Sequence, residues 1–449
     1  VAEIDPTDNL PTFVYHDDYD STPTIRVDPG DTIVLDLYDG LPPMPHMAGD
    51  LNMHFHGLDV SPLRPSDDVL TMLAMPGQGL EYRVNIPNDQ PPGLYWYHPH
   101  VHGQTNYQVG QGGMSGAIVV NGLERRFPGL SKMPEQLLIV RQLGTGGGDV
   151  TRAPQAGAPV TNPTPCAAAL GGNAVLTVNR EYQPRLVIEA GKPQFFRILN
   201  ATGHRTLDLA IDGTPLHVIA FDGYPVSTYP GQPAIRTMDH VVLPPAARVE
   251  FVAAPAQSAA LRTRCYDSGP AGDPDPEQLL LTMRARGNAH AAYGAGVAVS
   301  SPAEPLSPNN EPAALPPPVA RRTVTFTENA RGFYINGKAF SPDAKPTFVV
   351  RTGTVEAWTV QNLTGEVHAF HLHQAHFLVQ KVDGATVAPL WRDTVVVPHR
   401  TCPSHGPCTP GTIVVLADFR NPAIRGTFLF HCHILDHEDR GMMAKIRAI

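Results

Sequence analysis

Nowhere in the 449-residue chain is there an apolar run approaching the ~18 to 20 residues of a membrane helix, so a soluble protein is expected. Basic runs are missing too, and with a formal net charge of -9 the composition argues against a nucleic-acid partner. Helical periodicity is scarce. The chain begins Val1-Ala2-Glu3-Ile4, with no initiator Met and no apolar segment, as removal of an export signal, or trimming, would leave it. Cysteine is sparse, at five residues: Cys166, Cys265, Cys402, Cys408 and Cys432. If Cys432 is a metal ligand, the other four permit three pairings. The expected pairs are Cys402 with Cys408, close together in a Pro- and Gly-rich stretch, and Cys166 with Cys265. Four free thiols would fit a cytosolic protein; paired cysteines point to a secreted or periplasmic one.

What the chain does have is proline (47 residues) and glycine (40), which imply many turns and short strands. Strand-like runs recur, among them Thr32 to Tyr38, Arg185 to Ile188, Thr347 to Val350 and Thr412 to Leu416, a pattern of β-sandwiches. Roughly 150 residues per domain gives about three domains. Internal repetition agrees: PTIRVDPGDTIVLDLY from Pro23, PRLVIEAGKPQFFRIL from Pro184 and PTFVVRTGTVEAWTVQ from Pro346 are each a strand, a glycine turn and a second strand. A second repeat pairs Gly93-Leu-Tyr-Trp-Tyr-His98 with Gly426-Thr-Phe-Leu-Phe-His431; the middle unit has no histidine-bearing counterpart. Linkers at Gly144 to Pro165 and Ser301 to Pro318 place domains at about 1–150, 151–315 and 316–449.

Half of the 20 histidines lie in four short clusters: His54 and His56; His98 and His100; His368, His371 and His373; and His431, His433 and His437, with Cys432 and Met442 among and after the last. In a strand, residues i and i+2 share a face, so each His-x-His pair aims two imidazoles at one place. Cys432, between His431 and His433, points the other way, and one strand can serve two metal sites. A thiolate, two imidazoles and a weak axial thioether form a blue-copper ligand set. Cys432, His437 and Met442 would supply three of these, and His368 the second imidazole; Met443 is also available, but spacing favours Met442. Eight histidines remain, the number three further coppers would need. A bland reading, core histidines or a zinc site, does not explain four clusters in matched modules or a thioether. His102 and His376 extend their clusters, and a structural role is expected for both.

These motifs, in this order, resemble those of the multicopper oxidases, and among them the bacterial three-domain laccases. The resemblance implies an all-β fold of three tandem cupredoxin-like Greek-key β-sandwich domains holding four copper ions. His54 and His371 would bind the type 2 copper; His56, His98 and His433 one type 3 copper; His100, His373 and His431 the other. The cluster would lie between domains one and three, with domain two as a spacer. The resemblance also implies two acids for the protons of dioxygen reduction: Glu438, and one on the loop Ser66-Asp67-Asp68, with Asp67 taken ahead of Asp68. A donor would dock at the imidazole edge of His437.

The expected activity is laccase-like oxidation of a small phenol or aryl amine by dioxygen. A cuprous oxidase, acting on Cu(I), is the alternative. That branch often carries a methionine-rich insert in domain three, where only Met442 and Met443 stand here; Met44, Met47, Met53, Met72 and Met75 cluster in domain one instead, with His46. A non-enzymatic scaffold or copper store is disfavoured because all twelve ligands are present and divide into a soft set and an eight-histidine set. One chain carries the whole cluster, so a monomer is expected.

Overall fold

Each of the three repeated segments crosses from one sheet to another at its glycine. In a computed structural model of the chain, which describes residues 2–4, 11–13, 15, 22–41, 49–143, 175–226, 234–287 and 315–449, Gly30, Gly191 and Gly353 have φ of 92°, 72° and 81°. L side chains rarely adopt that conformation, and here it lets the chain leave one layer and enter the next within a few residues. The strand before the turn pairs in parallel with the last strand of its unit. Ile25–Val27 lies beside Gly116–Val120, Arg185–Glu189 beside Gln278–Arg286, and Phe348–Val350 beside Met443–Ala448. The strand after the turn joins the other sheet in all three cases: Thr32–Tyr38, Gln194–Asn200 and Thr354–Asn362.

Three pairs of sheets result, of four and two strands, seven and five, and six and five. Each pair encloses an apolar core of its own, centred on Phe55, Tyr82 and Ile118 in the first unit, Phe196, Phe251 and Leu261 in the second, and Trp358, Phe370 and Phe430 in the third. Inward-facing residues of two facing sheets bury each other, as in other sandwiches. A further cluster, with Leu94, Trp96, Ile139, Leu199 and Leu435, draws on all three units and closes them together.

Strand Glu135–Leu143 precedes the division expected at residue 150, yet it is hydrogen-bonded into the middle unit, parallel to Gln194–Asn200 and antiparallel to Val175–Val178. The Gly-rich stretch after it carries a strong compositional signal, whereas the tight turns around Pro128–Lys132 that lead into this strand carry little. Cys402 and Cys408 form a disulfide, and Cys265 is disulfide-bonded; its expected partner, Cys166, lies outside the described residues. Among the described residues, no helix is long and apolar enough to cross a membrane.

Candidate metal centre

Two antiparallel pairings bring the histidine clusters into register. In the first unit, His54–His56 runs beside Gly93–His98, with His54 opposite His98. In the third, His368–Leu372 runs beside Gly426–Cys432, with His371 opposite His431 and Phe370 opposite Cys432. The two sheets meet face to face. His56 stacks on His371 with ring centroids 3.9 Å apart, and His54 on His373 at 4.0 Å. His433 reaches the other unit, 5.1 Å from His56 and 5.4 Å from His98. These seven imidazoles and that of His100 are all buried.

Several are locked in a single tautomer. His54 Nδ1 lies 2.9 Å from the Asp67 carboxylate, His98 Nδ1 2.8 Å from the Pro99 carbonyl, His371 Nδ1 2.9 Å from the Asp393 carbonyl and His431 Nδ1 3.1 Å from the Cys432 carbonyl. A carbonyl can only accept, so His98, His371 and His431 carry the proton on Nδ1 and leave Nε2 as a bare lone pair, and an ionised Asp67 does the same for His54. Among the described residues, His54, His98 and His371 Nε2 then have no hydrogen-bond partner, and neither does either ring nitrogen of His433. His431 Nε2 instead faces His373 Nε2 at 3.1 Å and His100 Nε2 at 3.3 Å. Buried bare nitrogens converging on one another are costly unless something electrophilic binds them. The donor set therefore fits metal ions, and imidazole fits copper.

Cys432 faces the other way, into the apolar core of the third unit with Met442, Phe370 and Phe428. Its sulfur is 3.4 Å from His368 Nδ1 and 3.7 Å from His437 Nδ1, and these two nitrogens are 3.1 Å apart. The Ala369 amide donates to the sulfur at 3.4 Å. Met442 is fully buried, and its carbonyl accepts the Cys432 amide at 3.1 Å. His437, on the short helix Leu435–Asp439, stacks on Phe333 at 4.0 Å, and its Nε2 meets Glu366 at 3.3 Å.

Twelve residues of a single chain thus gather into one cysteine-containing group of donors and one histidine group, joined by the segment His431-Cys432-His433. Models of the multicopper oxidase family match residues 4–125, 95–260 and 313–448. The chain belongs to the multicopper oxidases. Among its relatives, a rice protein named multicopper oxidase LPR1 homolog 5 is 27% identical over 424 residues, covering 81% of this chain. The laccase of Bacillus subtilis is 26% identical over 406 residues, covering 80% of this chain. This chain spans 61% of the rice protein's length and 71% of the Bacillus one. A solved multicopper oxidase from Campylobacter jejuni, described as a metallo-oxidase, superposes with a TM-score of 0.72 at 21% identity, covering 95% of this chain and 84% of its own.

In this multicopper oxidase the electrostatics suit metal binding. Burial first, and mutual repulsion second, depress the pKa of His54, His373 and His433 well below the usual imidazole range; burial also lowers His98 to about 3 and His100 to about 4. Neutral imidazoles are the form that binds metal. Burial raises the Cys432 thiol strongly, so only a bound cation would hold it as thiolate. Glu438 is fully buried 3.1 Å from His431 Nδ1 and 3.6 Å from His100 Nε2. Burial alone would raise its pKa; those two imidazoles outweigh it and hold the carboxyl well below its ordinary value. Of the two loop aspartates, Asp67 reaches the cluster, accepting also from the Phe55 amide and Gln374, while Asp68 caps its own turn at Leu70 and Thr71.

Three residues that sequence reasoning passed over also touch the oxidase's donors, and a fourth acts on them through one of the three. Trp96 stacks on His98 at 4.1 Å. Glu366 meets His437, and Asp393 lies against His56 and is itself gripped by Arg248. The available signal for Asp393 was a charged Arg392-Asp393 pair between two apolar strand runs, a place where an unpaired charge is not tolerated. His376 bridges Asp59 and Asp393 and touches none of the candidate ligands, as expected of a hydrogen-bonded structural histidine; His102 is exposed against Phe340.

Proposed function

We propose that this oxidase is laccase-like, removing single electrons from phenols or aryl amines and delivering four of them, with four protons, to each dioxygen to yield water. The observation that carries the reading is the segment His431-Cys432-His433 at the end of strand Gly426–Cys432, whose successive side chains turn to two groups of candidate metal donors. His368, Cys432, His437 and Met442 would hold a type 1 copper. His54 and His371 would hold a type 2 copper, and His56, His98 and His433 with His100, His373 and His431 a type 3 pair. Bound copper would supply the one-electron redox chemistry, for which thiolate and imidazole donors are suited.

The chain's own residues do the rest. Cys432 is one peptide unit from His431 and from His433, so a covalent bridge links the two donor groups. Glu438 and Asp67, both buried, are the carboxylates positioned to hold and pass protons, Glu438 between His431 and His100 and Asp67 at His54 Nδ1. Asp67 also fixes the His54 tautomer. Reductant would dock at the cavity lined by His437, Glu366, Val367, His204, Asp273 and Asp275, where a carboxylate can accept from a phenol hydroxyl or an amine.

The cuprous alternative finds less support. The oxygen donors of that cavity are hard, whereas Cu(I) favours thioethers and thiolates. Of the methionines in the first unit, Met53 and Met72 are buried in packing and Met75 is exposed; Met44, Met47 and His46 lie outside the described residues. All twelve donors come from one chain, which supports a monomer, and the disulfides support an oxidising, secreted or periplasmic setting.

Oxygen uptake by copper-loaded protein, with a methoxyphenol and Cu(I) supplied in parallel, tests the reading. Fast uptake with the phenol and slow uptake with Cu(I) is expected. The reverse would make the protein a cuprous oxidase, and no uptake by visibly blue protein would remove the oxidase function altogether.

A further inference from the structure

The middle unit supplies none of the twelve candidate ligands, yet it sends one cation into the junction of the other two. Arg248, on strand Arg248–Ala253, is fully buried. Its Nε donates to the Leu94 carbonyl of the first unit at 3.1 Å, and its two terminal nitrogens grip both carboxylate oxygens of Asp393 in the third, at 2.8 and 2.6 Å. Asp222, also of the middle unit, clamps the same place: its carboxylate accepts from Arg392 Nε at 2.7 Å and from the Asp393 and Thr394 amides at 3.3 and 3.4 Å.

Asp393 holds histidines from two different units. Its carboxylate is 3.4 Å from His56 Nε2, and its carbonyl accepts from His371 Nδ1 at 2.9 Å, where Thr394 Oγ1 also stands at 3.1 Å. The first unit is cut to fit this pair. A Cβ on Gly57, beside His56, would come 2.5 Å from Arg248 Nη2 and 2.6 Å from Asp393 Oδ2, at a φ of 85°. A bidentate guanidinium–carboxylate pair fixes orientation as well as charge, which a point-charge ammonium does not.

We propose that Arg248 is a positioning residue of the trinuclear site, setting through Asp393 the orientation of the His56 and His371 imidazoles, so that the middle unit aligns the two halves of the cluster. This rests on the reading of the eight histidines as copper ligands. The test is Arg248→Lys, which keeps the buried charge, with Asp222→Asn as a second variant should the first not fold. Cluster copper is titrated with a chelator, and the blue absorption of the type 1 site serves as internal control. Loss of an outer partner of a metal-bound histidine typically weakens metal affinity about 10- to 100-fold. We expect a loss of that order for cluster copper in Arg248→Lys and a smaller one in Asp222→Asn. In both, the type 2 electron paramagnetic resonance signal should change while the blue site keeps its copper and spectrum. Unchanged cluster affinity and an unchanged signal in a folded variant would overturn the proposal, as would parallel loss of both sites, which would mark a general packing role. Wild-type protein that bound no copper at all would instead overturn the ligand reading beneath it.

Discussion

Glu438 follows His437 directly in sequence but turns to the opposite site: one residue touches the Cys432 group and the next lies between His100 and His431. Replacing it with Gln keeps the shape and removes the proton-carrying carboxylate. Glu438→Gln should therefore lower the rate of oxygen reduction by about 10²- to 10⁴-fold, the usual weight of a general acid or base, while blue absorption and single-turnover oxidation of a phenol persist. Unchanged steady-state turnover would remove Glu438 from the mechanism. Met442, buried in the same core as Cys432, is the axial donor of the proposed type 1 site. Compared with an apolar side chain, which donates nothing, an axial sulfur lends electron density that the more highly charged Cu(II) needs more, so Met442→Leu should raise the type 1 potential on redox titration, and a fall would mean that another residue is axial.

Strand Gly426–Cys432 joins a fold problem to a site problem. Phe428, Phe430 and Cys432 point into the third unit's core, while Leu429 and Met443 pack against Val69 of the first unit, on the side of His431. Phe430 lies on Phe348 at 5.8 Å and meets the Trp358 edge at 5.4 Å. Phe430→Ala should cost about 3–5 kcal/mol, read as a lower denaturant midpoint with little change in slope. It should also weaken type 1 copper more than cluster copper, because the two sites lie on opposite faces. This two-sidedness was legible in the sequence, since a period of two residues fixes which way a side chain points once the strand is known. The glycine turns were equally legible, because three copies of one pattern are their own control. Strand Glu135–Leu143 was not: nothing in its composition says that its partners lie in the second unit rather than the first. Asp393 and Arg248 share that difficulty, being 145 residues apart and meaningful only as a pair.

For the whole molecule, the packed histidines are a liability until metal arrives. Burial and mutual repulsion hold seven of the eight cluster imidazoles below their ordinary pKa, among them His56 and His371. Groups with a depressed cationic pKa bind protons more readily in the unfolded chain, so copper-free protein should lose stability as pH falls below about 6.5, each titrating histidine adding roughly 1.4 kcal/mol per pH unit. Copper, bound to the folded form alone, should suppress this acid limb. Melting temperatures of copper-free and loaded protein between pH 7 and pH 4 check it, and parallel curves would count against it. His376 has the opposite sign. Burial opposes its charge, but Asp59 and Asp393 raise it to about 9. Its contribution is complete below about pH 6.5 and is lost as pH rises through about 9, so His376→Gln should flatten the alkaline decline.

The pairing of His56 with His371 across 315 positions also dictates an order of events during synthesis. At about 5–20 residues per second, the first unit waits on the order of tens of seconds before strand Gly426–Cys432 emerges. Through that interval His54, His56, His98 and His100 stand as an open half-site whose four imidazoles would take zinc as well as copper. On the proposed ligand assignment, correct metallation is then a matter of timing: an ion such as zinc that enters the half-site early has to leave before the last strand closes the sheet over it.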